Sequence, residues 1–96
     1  MRKEEIIQVL KNNRKELNRF HVASLSLFGS VVRGEARNSS DIDILVEFSE
    51  TVGIFDFIRL KFFLEKILNS TVDLVTPDAL KDRLKSAILK EAIHAA

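Results

Sequence analysis

Two short apolar runs in this chain each contain a single aspartate. Asp43 lies in the run 42–46, and Asp73 lies in the run 72–75. Aspartate is depleted in apolar strands, because a carboxylate without a partner is costly to remove from water. A bound metal ion would remove that cost. The two runs therefore predict strands that bring their acids to a site where a cation can bind.

A third carboxylate, Asp41, stands two residues before Asp43. Residues two apart on a strand project to the same face, with Cα atoms roughly 6.6 Å apart. Two carboxylates at that spacing can converge on one or two cations, and ligands that are all oxygen favour magnesium or manganese over zinc or copper. If the Asp73 strand is a neighbour, about 4.8 Å away, Asp73 joins the site as general base or second metal ligand. Alone, Asp41 would fit a turn residue or a strand-start cap as well as it fits a metal ligand.

Gly29 and Ser30 follow a predicted strand directly and open a short predicted helix. Glycine lets the backbone approach a ligand closely, and a helix N-terminus presents N–H groups and a positive dipole end to an anion. Ser30 adds a hydroxyl donor. A phosphate cradle beside a metal clamp suits nucleotidyl transfer, because Mg²⁺ commonly bridges carboxylates and phosphate oxygens. In isolation, the Gly-Ser pair is more typical of a strand-ending turn.

Hydrophobic periodicity predicts a small mixed β-sheet with packed helices, the α/β (α+β) class, in one domain spanning residues 1–96. The element order is α-β-α-β-α-β-α. The predicted elements are a helix over 2–18, a strand over 22–28, a short helix from 29 to 34 or 36, a turn at 38–40, a strand over 41–48, a helix over 53–68, a strand over 71–75 and a last helix that starts at Thr76-Pro77 and continues from 81 to the C-terminus. The expected inward residues are Ile6, Leu10 and Leu17 on the first helix, Ala23, Leu25 and Leu27 on the first strand, and Leu80, Leu84, Ala87, Ile88 and Ala92 on the last helix.

Composition excludes several classes of protein. The formal net charge of the 96 residues is +1, so no strong field draws the chain to nucleic acid or to anionic lipid. Cysteine is absent, which excludes disulfides and thiolate metal sites. No apolar run approaches the roughly 20 residues that span a bilayer. The N-terminus turns acidic with no apolar signal core, so we expect a cytoplasmic location.

The spacing of Gly29-Ser30, ten residues, then Asp41-x-Asp43 resembles the signature of the DNA polymerase β-like nucleotidyltransferase superfamily. The wider stretch is similar to its minimal nucleotidyltransferase (MNT) branch, which is paired with HEPN-domain proteins in prokaryotic toxin–antitoxin systems. The residues that carry this similarity are Arg33, Gly34, Ala36, Arg37, Ser40, Asp41, Ile42 and Asp43. Val32 departs from the pattern, since such proteins often have a small alanine there. The resemblance covers nearly the whole chain.

The resemblance implies a nucleotidyltransferase fold and assigns roles to residues. Asp41, Asp43 and Asp73 would be catalytic and ligate Mg²⁺ or Mn²⁺, while Gly29 and Ser30 bind the phosphates of ATP. Arg33 and Arg37 contact phosphate, lie on a solvated face, or pair with Glu35 or Glu47. The implied activity is transfer of AMP from ATP to a HEPN toxin, on a tyrosine hydroxyl, so that this chain acts as the antitoxin.

The sequence is also compatible with two other functions. The chain could neutralise its partner by binding alone, or it could transfer nucleotides to a small molecule or an RNA. The helix over 53–68 is apolar nearly all round, and its four phenylalanines cannot all face one small core; they are Phe55, Phe57, Phe62 and Phe63. Either this helix is buried on one face with some exposed Phe, or it meets a partner, in a hetero-oligomer or a homodimer.

Overall fold

The computed structural model describes residues 2–35 and 41–96, so Arg37 and the predicted turn at 38–40 lie outside the described residues. The helices are α1 (Lys3–Asn12), α2 (Arg14–Arg19), α3 (Ser30–Arg33), α4 (Ile54–Leu68) and α5 (Asp82–Glu91). The strands are β1 (Val22–Phe28), β2 (Ile42–Phe48), β3 (Val72–Val75) and β4 (Ile93–His94), and a 3₁₀ turn spans Pro77–Ala79. The predicted class, a mixed sheet with packed helices, is confirmed.

The four strands form one sheet in the order β3-β2-β1-β4. β1 is antiparallel to β2 and to β4, whereas β2 and β3 are parallel. The parallel pair is joined through α4, because strands that run in the same direction need a crossover connection. Parallel pairing also brings the N-terminal ends of β2 and β3 to the same edge, which is where their aspartates lie.

One face of the sheet carries the main core. Alternate residues of β2 point into it, and Leu60, Leu64 and Leu68 of α4 close it from the other side. The fully buried residues are Ile6, Leu10, Leu17, Leu25, Leu27, Ile44, Val46, Leu60, Leu64 and Ala95. The inward stripe predicted for the first helix, Ile6, Leu10 and Leu17, is therefore confirmed.

The opposite face of the sheet carries Asp43 and Asp73. The chain returns from β3 to β4 through α5, and this connection crosses the sheet in the direction opposite to the β2-α4-β3 connection. Parallel crossovers are right-handed in nearly all proteins, so we expect α5 on the face that α4 does not cover. Leu45 and Phe28, which point to this second face, are buried.

Two local predictions in the N-terminal region were wrong, each because a backbone detail overrode the side-chain pattern. The helix predicted over 2–18 is broken at Asn13, whose side-chain amide donates to the Val9 carbonyl at 2.8 Å and so competes with the helical ladder. Ala23 is exposed rather than inward. A register irregularity between Val22 and Ser24 shifts the alternation, and Val22 is buried in its place.

The C-terminal region also differs from the prediction. Thr76 makes no side-chain cap bond, and the first turn ends at Ala79, so α5 begins only at Asp82. The helix ends at Glu91, and the following residues form β4, which was not predicted. The Ala95 N–H donates to the Leu25 carbonyl at 2.8 Å, so the free edge of β1 takes up a segment that local pattern assigned to helix.

The predicted inward stripe of the last helix is also corrected. Leu84 is 57% exposed and Ala87 is exposed, whereas Leu80, Ile88 and Ala92 are half-buried. Lys85, Ile88 and Ala92 are half-buried and are spaced three and four residues apart, so they mark the less exposed side of this segment. No helix within 2–35 or 41–96 is long and apolar enough to cross a membrane.

Candidate active site

Asp43 and Asp73 are paired directly across the parallel strands β2 and β3. Each is the second residue of its strand, so the register predicted from the two apolar runs is the one the fold adopts. Asp41 is exposed and lies immediately before β2, not inside it. Asp43 also stands opposite Phe28, the last residue of β1. The end of β1 and the starts of β2 and β3 therefore meet at one edge.

Gly29, the residue after β1, lies against the Asp43 carboxylate. Its φ of 74° and ψ of −152° belong to a region that side chains rarely adopt. A Cβ added at Gly29 would overlap sterically with Oδ2 of Asp43 and would lie 2.9 Å from the Cγ of Asp43. Glycine is therefore required twice at this position, by the backbone conformation and by the closeness of the carboxylate.

The carboxyl of Asp43 holds its proton more tightly than an ordinary aspartate. Burial, followed by the charge of Asp73, a hydrogen bond with Asp73 and the charge of Asp41, raises the pKa of Asp43 to about 6. The charge of Arg33 acts in the opposite direction. The three acids are thus close enough to repel one another, and a cation among them would relieve that repulsion.

The short helix α3 starts at Ser30, directly after Gly29. The Gly29 carbonyl accepts hydrogen bonds from the N–H groups of Val32 and Arg33 at 3.1 and 3.2 Å, which turns the chain sharply away from the strand. Ser30 is half-buried at this turn. The first N–H groups of a helix have no partner within it, and Gly29 places this end of α3 close to the Asp43 carboxylate.

Arg33 is engaged in two ion pairs. Its Nε lies 3.1 Å from Glu35 Oε2, and its Nη1 lies 2.7 Å from Glu91 Oε1. The pairing with Glu35 is one of the two alternatives that the sequence left open. The second partner was not anticipated: Glu91 is 58 residues away in sequence, at the end of α5. No local signal could have identified it, since the contact depends on α5 crossing the sheet.

Among the described residues at this edge, the carboxylates of Asp41, Asp43 and Asp73 are the candidate metal ligands, and oxygen ligands suit a hard divalent cation. Within residues 2–35 and 41–96, no group of three or more His, Cys, Asp or Glu side chains is placed so that it could hold a metal ion. The assignment of Asp41, Asp43 and Asp73 as a metal set stays a prediction. Burial, together with repulsion from Asp73 and Asp41, raises the pKa of Asp43, and a cation bound beside it would offset that repulsion.

A cleft of about 820 Å³ lies away from these carboxylates. Its walls include Val46, Glu47 and Phe48 at the far end of β2 and Thr76 just after β3. Asp43 and Glu47 are four residues apart on one strand, which corresponds to roughly 13 Å. The cleft therefore belongs to the opposite end of the sheet.

Comparison with known proteins agrees with this geometry. Residues 6–94 match the family described as "Nucleotidyltransferase domain". The chain is 44% identical over 92 residues to the protein adenylyltransferase MntA of Thermococcus cleftensis, covering 95% of this chain and 93% of that protein. This relative is matched over almost the full length of both chains, and its name specifies the transfer of an adenylyl group to protein.

Two solved structures extend the comparison to the fold. A protein described as a minimal nucleotidyltransferase superposes with a TM-score of 0.83 at 39% identity, covering 97% of this chain and 95% of that one. A toxin–antitoxin structure with AMP-PNP superposes with a TM-score of 0.71 at 26% identity, covering 100% and 73% of the two chains. The chain described here belongs to the nucleotidyltransferase family, among the minimal nucleotidyltransferases whose relatives are protein adenylyltransferases.

Proposed function

We propose that this chain transfers AMP from ATP to a tyrosine hydroxyl of a HEPN toxin and thereby acts as its antitoxin in the cytoplasm, with residues 1–96 as one catalytic domain. The name of the Thermococcus relative supports protein as the acceptor. The toxin–antitoxin structure with AMP-PNP supports ATP as the donor and a toxin as the partner. A HEPN toxin and its tyrosine follow from the resemblance of the motif to the MNT branch.

The observation that carries this proposal is the contact between Gly29 and Asp43 at the strand edge. A glycine with no room for a Cβ places the start of α3 directly beside a carboxylate that itself faces Asp73. Phosphate donors and metal ligands are thus within one short span of the chain. A strand-ending turn without a function has no need to bring its backbone onto a carboxylate.

Mg²⁺ is the cation that suits this donor set, with Mn²⁺ as an equivalent, and Asp41, Asp43 and Asp73 would hold it. When bound, it neutralises charge on the triphosphate and polarises the phosphorus–oxygen bonds. The pKa of about 6 leaves Asp43 ionised at neutral pH, when it can act as a ligand. Lowering the pH through that value should weaken metal-dependent ATP binding.

In the proposed reaction, the backbone and side chains of this chain bind the phosphates of ATP and accept the proton of the acceptor hydroxyl. Gly29 and the N–H groups at the start of α3 bind the phosphates, and Ser30 donates its hydroxyl. The acceptor hydroxyl oxygen attacks the α-phosphorus in line and passes its proton to the Asp73 carboxylate. The bond from the α-phosphorus to the bridging oxygen breaks, and pyrophosphate leaves. Arg33 is close enough to influence Asp43 and would balance negative charge at the edge of the site.

The deciding experiment measures the mass of a HEPN toxin after incubation with ATP, Mg²⁺ and this chain. The parent should add one or more AMP units, and Asp73→Asn should add none while still forming the complex. Asp82→Asn is the matched control, because Asp82 is an exposed aspartate at the start of α5, outside the site. This control should transfer AMP as the parent does.

Three outcomes would contradict the proposal. Transfer by Asp73→Asn at the parental rate would remove Asp73 from the mechanism. An unmodified toxin that is nevertheless fully neutralised by the parent and by Asp73→Asn would identify a binding module. The appearance of α-phosphate label in RNA or in a small molecule, with none in the toxin, would identify a different acceptor.

A further inference from the structure

The outward face of α4 is apolar along most of its length. Phe55 is 74% exposed and Phe62 is 61% exposed, and they lie on one stripe because seven residues make nearly two helical turns. Ile54 and Ile58 flank the same stripe and are also exposed. We call these four residues the α4 patch. The inward face of the helix is occupied by the core, so the patch has no role in packing the monomer.

The α4 patch is large for a single small chain. A Phe side chain offers about 150–250 Å² of surface, so the two exposed rings alone leave roughly 270 Å² uncovered. With the two isoleucines, the patch exceeds roughly 400 Å², which is the size at which an exposed apolar surface marks an interaction site. Two such patches placed face to face approach the area of the smaller specific interfaces once their polar borders are included.

The charges around α4 are arranged with opposite signs at its two ends. The N-terminal end borders the cleft, whose walls include Glu47, Glu50 and Asp78 and contain no lysine or arginine. The C-terminal end carries Lys66, which is exposed on the same stripe as the two phenylalanines. Between the two ends, Arg59 is neutralised by Asp56 at 3.1 Å.

This arrangement complements itself about a twofold axis. If two copies of α4 pack antiparallel with Phe55 on Phe62 of the other copy, Lys66 extends four residues beyond that contact. Four helical residues correspond to roughly 6 Å, which brings Lys66 to the loop around Thr51 at the acidic cleft of the other copy. A parallel arrangement would instead place Lys66 beside Lys66 and leave the acids facing one another.

We propose that the α4 patch is the interface of a symmetric homodimer, in which antiparallel α4 helices bury Phe55 against Phe62 and direct Lys66 to the acidic cleft of the partner. A twofold interface needs one surface that is complementary to itself, and the patch has that property. The proposal does not depend on the transfer reaction. Because α4 covers the face of the sheet opposite Asp43 and Asp73, the dimer leaves both candidate sites open on its outer surfaces.

The first test is the mass of the purified chain in solution, measured by sedimentation velocity between about 1 and 200 µM. The parent should be a dimer over most of this range. Phe55→Ser and Phe62→Ser should each raise the dissociation constant at least about 100-fold. In a symmetric dimer, either change removes both of the contacts between Phe55 of one copy and Phe62 of the other. Leu84→Ser is the matched control, since Leu84 is a comparably exposed apolar residue on α5. It should leave the dimer intact.

The second test decides the direction of packing. Phe55→Glu and Phe62→Lys should each weaken the dimer. A chain with both changes should lose less affinity than the two single losses added together, because each new glutamate then faces a new lysine. High salt should reduce this difference, as it screens exposed ion pairs. The charged side chains are exposed in the monomer, so circular dichroism should show all variants folded.

Several results would overturn the proposal. One is a parent that stays monomeric at every concentration, and another is a dimer that persists in both Phe→Ser variants. A dimer that Leu84→Ser dissociates would place the interface on α5. Strictly additive losses of affinity in the doubly charged chain would exclude the antiparallel contact. Binding of a toxin by the α4 patch of a monomer would likewise show that the occupant is a different protein.

Discussion

The two faces of β2 have different roles, although both come from one short run of sequence. Ile42, Ile44 and Val46 point into the main core, where each is buried among helices α1, α2 and α4. Asp43 and Glu47 point the other way, and Asp43 meets Gly29 and Asp73 there. Neighbouring residues on β2 therefore have opposite effects on the stability of the fold: Ile44 stabilises it, and Asp43 destabilises it.

This difference shows how a chain of 96 residues can tolerate clustered acids. The core face supplies the stability, since burial of its aliphatic side chains contributes most of the free energy of folding. The opposite face keeps three carboxylates near one another at an energetic cost, and the raised pKa of Asp43 records that cost. Substitutions on the two faces should therefore change stability in opposite directions.

The largest expected effect is at Ile44, on the core face. Ile44 is fully buried, so Ile44→Ala should lower the free energy of unfolding by about 2–5 kcal/mol through lost burial and a cavity. Denaturant unfolding measures this loss. Glu47→Ala is the control on the same strand, because Glu47 is exposed and should change stability by less than about 0.5 kcal/mol. A loss below about 1 kcal/mol at Ile44 would break the comparison between the two faces.

The next effect is at Gly29, where the fold and the site meet. Gly29→Ala should destabilise the chain by about 2–4 kcal/mol, because it combines backbone strain with displacement of the Asp43 carboxylate. Gly34→Ala is the matched control: Gly34 has the same φ of 74° but no atom within 4 Å of an added Cβ. It should cost only the backbone strain, about 1–2 kcal/mol.

Calorimetry separates the two glycine variants by function as well. Gly29→Ala should weaken Mg²⁺-dependent ATP binding at least about tenfold, since the added methyl displaces Asp43 from its position. Gly34→Ala should bind ATP as the parent does. Equal ATP affinity in the two variants would show that the contact between Gly29 and Asp43 is structural only.

Much of the fold could be predicted from sequence wherever local signals agree with burial. The bounds of β1 and the α4 range were predicted almost to the residue, because an alternating run and a long apolar helix are local patterns. The register of Asp43 against Asp73 was also predicted, because each is the one acid in its apolar run. Phe57 and Phe63 pack on the core while Phe55 and Phe62 are exposed. This agrees with the prediction that a small core cannot bury all four phenylalanines of α4.

The remaining features depend on contacts between distant residues. β4 has only two residues and no strand pattern, so its formation follows from the free edge of β1 rather than from its own sequence. Glu91 reaches Arg33 only because α5 crosses the sheet. The irregularity near Val22 depends on the pairing with β2. None of these three features leaves a periodic signal along the chain.

The smallest expected effect is a gain in stability at Asp43. The native chain binds the proton of Asp43 more tightly than the unfolded chain does, with a pKa of about 6 against 3.8 for an ordinary aspartate. Stability is therefore favoured below the unfolded pKa and is lost as pH rises through about 6. Without metal, Asp43→Asn removes the charge that causes this loss. It should stabilise the chain at pH 8 by on the order of 1 kcal/mol, a value reduced because the carboxyl is partly exposed to solvent.

The pH dependence of this gain distinguishes it from a general effect of the substitution. Thermal unfolding in EDTA should show Asp43→Asn melting roughly 4–8 °C above the parent at pH 8, with the difference vanishing near pH 4, where the parental carboxyl is protonated. Glu47→Gln removes an exposed charge from the same face of β2 and should shift the melting temperature little at either pH. Added Mg²⁺ and ATP should reverse the ranking at pH 8, because they stabilise only the chain that binds them. A parent that stays less stable than Asp43→Asn under those conditions would mean that Asp43 does not hold the metal–nucleotide complex.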